Sequence, residues 1–146
     1  GQALEANDYR VVRNLHFTQR GNRWEMDILG IRQPMIICAD CKHWKRGWRS
    51  AATEKAVEAQ VKRTEALAAA LPSNVHKFGL EGWQNATLVP LILSLIPGPH
   101  RFFNAVPVVP ILQLQDFISE VDLELNSLHH IDKKIEQDSA RIDRML

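Results

Sequence analysis

The chain is poor in cysteine, in tyrosine and in long apolar runs. Its 146 residues include two cysteines, Cys38 and Cys41, which excludes a disulfide framework and a pair of zinc knuckles. The most apolar stretch, Leu88 to Pro97, is ten residues long and contains Ser94 and two prolines, whereas a membrane-spanning helix needs about 20 apolar residues. The N-terminus carries no secretory pattern. There is no G-x-S-x-G, no P-loop and no glycine-rich dinucleotide turn, so acyl transfer, P-loop phosphoryl transfer and dinucleotide chemistry have no motif to rest on. Internal repeats and low-complexity segments are absent. Charge of one sign is missing too: the formal net charge is +1, so the whole-chain balance points to no polyanion. What remains, 45% hydrophobic and 24% charged residues, is the composition of one folded globule. The expectation is a soluble, cytoplasmic, single-domain chain with no membrane partner and no organic cofactor.

The hydrophobic period changes along the chain. Tyr9 to Phe17 reads as a strand, Gln19 to Arg23 as a turn with Gly21-Asn22 at its tip, and Trp24 to Ile31 as a second strand. Gln33-Pro34 breaks it, and Met35 to Trp44 reads as a third strand that begins with a continuous apolar run. From Ala51 to Leu71 the spacing is helical, with Val57, Val61, Thr64, Ala68 and Leu71 on one face, and Pro72-Ser73-Asn74 ends it. Thr87 to Ile96 reads as a buried strand and Ala105 to Leu112 as another, placed at an edge or made irregular by Pro107 and Pro110. Residues 115 onward read as one long helix or two. At the start, Ala3-Leu4-Glu5-Ala6 reads as the last turn of a helix stopped by Asn7-Asp8, with a longer helix expected upstream. The order (α)βββαββα predicts an α/β fold around a mixed sheet.

The second and third strands hold the residues that point to chemistry. Alternation along Trp24-Glu25-Met26-Asp27 puts Glu25 and Asp27 on one face, and along Met35 to Lys42 it puts Asp40 and Lys42 on one face, with Ile37, Ala39 and Cys41 on the other. If the strands are neighbours, Asp27, Asp40 and Lys42 converge at one rim. Hard divalent cations take oxygen ligands, often one or two carboxylates with waters and a substrate phosphate. A lysine two residues on can hold a water or neutralise charge developing on the phosphate. The alternative reading is a salt-bridge cluster at strand ends, with Glu25 solvated. Cys38 and Cys41 have C-x-x-C spacing, but a strand sends these two thiols to opposite faces, so they read as buried small residues.

Asp27 followed by Asp40-Cys41-Lys42 resembles the D…(D/E)-x-K signature of the PD-(D/E)xK nuclease superfamily. The context Glu25-Met26-Asp27-Ile28, a hairpin, then Ala39-Asp40-Cys41-Lys42 is most similar to its Mrr-like and archaeal Holliday-junction-resolvase-like branches. The resemblance covers residues 1–118. It implies a restriction-endonuclease-like fold, a three-layer α/β/α sandwich with a central mixed β-sheet, here followed by a long C-terminal helix over 119–146. It also implies Mg²⁺- or Mn²⁺-dependent hydrolysis of DNA phosphodiesters. Asp27, Asp40 and the main-chain carbonyl of Cys41 would hold the metal, Lys42 would position the attacking water, and Gln60 would support the site from the following helix. Those branches also carry a glutamate on the first helix, for which Glu5 is the candidate. This chain departs from them in having Asp rather than Glu before x-Lys.

A basic segment follows directly. Residues 42–63 carry seven Lys/Arg against two Glu, and residues 1–70 balance at +4 while 71–146 balance at −3. Lys45, Arg46, Arg49 and Lys62 are candidate phosphate contacts and Trp48 a candidate base-stacking residue. The alternative is a solvated loop whose tryptophans cover the core edge. On the C-terminal helix, Val121, Leu128, Ile135 and Ile142 recur every seven residues, while Asp132 and Asp138 interrupt the companion positions partly filled by Leu125, Ile131, Met145 and Leu146. That spacing fits either packing on the parent domain or a seam for a homodimer. Three functions therefore compete: a metal-dependent DNA endonuclease, a non-catalytic DNA-binding module on a nuclease scaffold, and a protein that dimerises through its C-terminal helix.

Overall fold

The computed structural model describes residues 2–43, 50–95 and 101–135. Its elements are α1 (Gln2–Glu5), β1 (Arg10–Gln19), β2 (Asn22–Arg32), β3 (Met35–Lys42), α2 (Ser50–Ala70), α3 (Val75–Phe78), β4 (Asn85–Ser94), β5 (Arg101–Phe103), β6 (Val106–Pro110), α4 (Leu114–Glu124) and β7 (Ile131–Lys134). The fold is α/β. Seven strands form one mixed sheet in the order β1-β2-β3-β4-β6-β5, with β7 also paired to β4. The β1-β2-β3 meander is antiparallel. β3 then pairs along its whole length in parallel with Thr87 to Ser94 of β4. A parallel step needs a crossover, and α2 supplies it.

The faces of the sheet follow from alternation. Along α2 the buried positions Thr53, Ala56, Val57, Gln60, Thr64, Leu67 and Ala68 recur at helical spacing. They pack, with α3, on Ile36 and Cys38 of β3 and on Leu88 and Ile92 of β4. On the other face α1 and α4 cover Ile37, Ala39, Val89, Leu91 and Leu93. Gly30 allows α1 to sit this low: a Cβ there would come within 2.8 Å of Leu4 Cδ2 and 3.3 Å of the Tyr9 ring. No helix among the described residues is long and apolar enough to cross a membrane.

Beyond residue 113 the structure departs from the sequence expectation. The described part of 119–146 is not one long helix. Helix α4 ends at Glu124, a 3-10 turn covers Leu125–Ser127, and β7 pairs antiparallel with the first half of β4. The expected division between 118 and 119 falls inside α4. Leu128 is buried on the α4 side and Ile135 on the α2 side, so two members of the seven-residue repeat fill two cores of their own domain. Ile142, Met145 and Leu146 lie outside the described residues. Pro90, in the middle of β4, fits the same arrangement. The amide of Thr87 points to the β3 side, where it donates to the Pro34 carbonyl, so position 90 turns its nitrogen to the opposite edge. There β7 ends its pairing at Leu88 and β6 begins at Ile92, so the missing donor costs no ladder bond.

The β1-β2 ribbon contains one break. Val12, Leu15 and Phe17 all face α2, as do Trp24, Met26, Leu29 and Ile31, whereas Val11 and Ile28 face the other side. Both strands therefore lose alternation between these positions. The facing residues at the break are Asn14, with φ +53°, and Asp27. Register is unchanged across it, since Arg13 faces Ile28 and Leu15 faces Met26.

Candidate active site

The break places the site. β2 pairs with β3 only from Ile28 to Arg32, and its first half, Asn22 to Asp27, stays with β1 and leaves β3. A cleft of about 410 Å³ opens in the fork, lined by Arg23, Trp24, Glu25, Asp27, Asp40 and Arg63. Asp27 closes the ladder with its side chain: its Oδ2 accepts the Cys41 N–H at 3.0 Å, where a main-chain carbonyl would otherwise serve. The N–H and C=O of one strand residue face the same side. The Cys41 carbonyl therefore also faces the β2 side of β3.

Asp40 lies deeper, 6% exposed. Its Oδ2 is buried and has no hydrogen bond. Lys42 Nζ at 3.2 Å and Arg63 Nη1 at 3.8 Å pair with it by charge without reaching hydrogen-bond geometry. Burial pushes the Asp40 carboxyl above the usual range and the neighbouring Asp27 carboxyl pushes it further, while Lys42 and Arg63 pull it back. The net direction is upward, so the two carboxylates share the site at an electrostatic cost.

Gln60 reaches the site from α2 and is fully buried. Its Nε2 donates to the Cys38 carbonyl at 2.8 Å and lies 3.2 Å from Met26 Sδ, and its Oε1 accepts from Arg63 Nη1 at 3.1 Å. These bonds tie the helix to β2 and β3, so Gln60 holds the site together rather than reaching into the cleft. Cys38 and Cys41 point to opposite faces, as alternation requires. Burial pushes the Cys38 thiol up to about 12, which keeps it protonated.

The structure thus brings Asp27, Asp40, Lys42 and Gln60 together, with Glu25 exposed on the same cleft. Glu5 and Lys62 are exposed, on α1 and α2, and neither lines the cleft. Lys45, Arg46, Trp48 and Arg49 lie outside the described residues. Sequence reasoning missed Arg23, Trp24 and Arg63. The signal for Arg63 was present, since it stands three residues after Gln60 and so on the same side of α2. Among the described residues no group of three or more His, Cys, Asp or Glu side chains is placed to hold a metal ion. The acidic centre of the cleft is the Asp27–Asp40 pair.

No protein-family model and no curated protein matches the sequence. Among solved structures the chain is similar to a crystal structure of a protein of unknown function, AF1548, at 15% identity and a TM-score of 0.41, over 64% of this chain and 41% of that one. The chain therefore spans less than half the length of that protein.

Proposed function

We propose that this chain is a metal-dependent DNA endonuclease on a three-layer α/β/α, restriction-endonuclease-like scaffold, of the Mrr-like or junction-processing kind that its motif resembles. The observation that carries the reading is the Asp40 carboxylate. One of its oxygens is buried without a hydrogen bond, beside a second carboxylate and two cationic side chains, at a cleft. A buried carboxylate held by ion pairs beside a second carboxylate suits a divalent cation that would take oxygen from both.

A Mg²⁺ or Mn²⁺ ion fits the residues present. Asp27 and Asp40 offer two hard oxygen ligands and the Cys41 carbonyl a third, and waters and a phosphate oxygen complete such a set. When bound, the ion polarises the phosphate and acidifies a ligated water. Lys42, about a third exposed and next to Asp40, orients the attacking water and offsets charge on the phosphate. Gln60 keeps the two strands at fixed separation. Arg23 flanks the cleft as a backbone contact, and the sequence assigns the same role to Lys45, Arg46 and Arg49.

Plasmid nicking and branched-DNA cleavage with Mg²⁺ or Mn²⁺ test the reading. Cleavage by the wild type that is lost in Asp40→Ala and Lys42→Ala is the expected result, and equal cleavage by the variants overturns it. Salt-sensitive DNA binding with no cleavage in either metal would assign the protein to the non-catalytic DNA-binding class instead.

A further inference from the structure

Arg63 reaches both halves of the site from α2. Its Nη1 donates to Gln60 Oε1 at 3.1 Å and lies 3.8 Å from Asp40 Oδ2. The side chain lines the cleft and stays 29% exposed. A guanidinium has five N–H donors in a rigid fork, and one bond to Gln60 leaves most of them unassigned. The approach to Asp40 is too long for a hydrogen bond, so it is an ion pair held by charge alone.

We propose that Arg63 is an exchangeable counter-ion. It pairs with Asp40 while no divalent cation is bound, and it turns to a phosphate oxygen of the DNA when one is. The inference rests on the nuclease reading and extends it by coupling metal entry to the grip on substrate. Without a divalent cation, Lys42 and Arg63 balance Asp27 and Asp40, as Arg23 balances Glu25. A divalent cation on the carboxylates leaves the cleft positive and Arg63 without its counter-charge, which is the state that attracts a phosphodiester. Gln60 anchors the guanidinium, so the exchange needs only a small rotation.

The competing role is a plain salt bridge that holds α2 to the sheet. The two roles predict opposite effects on metal binding. A counter-ion competes with the metal for Asp40, so its removal tightens metal binding. A structural bridge positions Asp40, so its removal loosens metal binding.

The test uses the full chain as wild type, Arg63→Gln and Arg63→Lys, with folding checked by thermal unfolding. Mn²⁺ binding is measured without DNA by electron paramagnetic resonance, and duplex binding is measured in EDTA and in Ca²⁺ across a salt series. Arg63→Gln is expected to bind Mn²⁺ about threefold more tightly, the scale of a partly exposed ion pair. In Ca²⁺ it should lower the slope of log affinity against log salt by about 0.9, the value for one lost phosphate contact on B-DNA. In EDTA, where Asp40 holds the guanidinium, the slope should not change. Arg63→Lys keeps the charge and should stay near wild type in both measurements, which separates lost charge from lost packing. Unchanged or weaker Mn²⁺ binding by Arg63→Gln overturns the counter-ion role, and an unchanged slope in Ca²⁺ overturns the phosphate role. A wild type that neither binds nor cleaves DNA removes the nuclease reading, while the Mn²⁺ comparison still decides the counter-ion role. A wild type that binds no Mn²⁺ overturns both.

Discussion

Asp40 is 6% exposed, and that burial opposes its charge. Desolvation and the adjacent Asp27 carboxyl raise its pKa above the ordinary 3.8. A carboxyl raised on folding is easier to keep protonated in the native state than in the unfolded chain. Its contribution to stability is therefore complete in acid, below the unfolded value, and is lost as pH rises through the raised native value. Asparagine has the same shape and does not titrate. In metal-free buffer, Asp40→Asn should melt above the wild type at pH 7, by roughly 2–5 °C for a gain of about 1 kcal/mol. The gap should be smaller at pH 4, and calorimetry at the two pH values measures it. A gap that narrows as pH rises would mean that Lys42 and Arg63 outweigh burial. On the proposed nuclease reading the same substitution should also end cleavage, which would separate the residue's functional value from its structural cost. At this scale the site was largely legible: Asp27, Asp40 and Lys42 carry a motif, and Gln60 followed from the family resemblance. The place of Arg63 beside Gln60 was legible from their spacing, but its role was not, because that depends on where the Gln60 amide points, which is set by Cys38 and Met26 on two different strands.

The β1-β2 ribbon explains how the motif residues come to face a cleft. Strict alternation would let the ladder between β2 and β3 run on past Ile28. The double break at Asn14 and Asp27 ends it, frees β2 to leave β3, and leaves the Asp27 side chain to accept the Cys41 amide. No sequence pattern announces this, since Asn14 and Asp27 sit in strands that otherwise read as regular. The assignments of β1 to β4 and α2 were legible because their periods differ, but a break that flips both strands at once leaves register intact and is silent in the pattern. Asn14 is exposed, so substitutions there report on the backbone with little packing change. A left-handed conformation costs most side chains about 1–2 kcal/mol, with Asn and Gly as the tolerant residues. Asn14→Gly adopts this conformation freely and should lose less than the valine variant, at most the roughly 0.5–1 kcal/mol of glycine's entropic cost in a strand. Asn14→Val should lose about 1–2 kcal/mol. Urea unfolding gives the order directly, and a valine variant as stable as wild type would remove the strain argument.

At the scale of the whole molecule, the question is what the C-terminal segment is for. The seven-residue spacing of Val121, Leu128 and Ile135 invited a partner helix, but periodicity alone does not say whether a segment stays helical. Here the chain turns after α4, and β7 takes the half of the β4 edge that β6 leaves free. The segment crosses from one face of the sheet to the other, which is why Leu128 and Ile135 fall into different clusters. That closure was not legible locally, because four residues of strand acquire meaning only from a vacant edge built by β3, β4 and β6. It also pins the first half of β4, whose other end runs beside Asp40 and Lys42. Ile135 is 4% exposed, and its amide donates to the Gln84 carbonyl at 2.8 Å. Ile135→Ala should cost about 2–5 kcal/mol, as large-to-small changes in a packed core do. If the tail serves its own domain, the melting temperature falls while the sedimentation coefficient of the folded protein stays at the wild-type value. If it is a dimer seam, the variant instead keeps the stability of its monomer and changes its oligomeric state. Thermal unfolding and sedimentation velocity on the same preparation separate the two, and the burial of Ile135 beneath α2 favours the first.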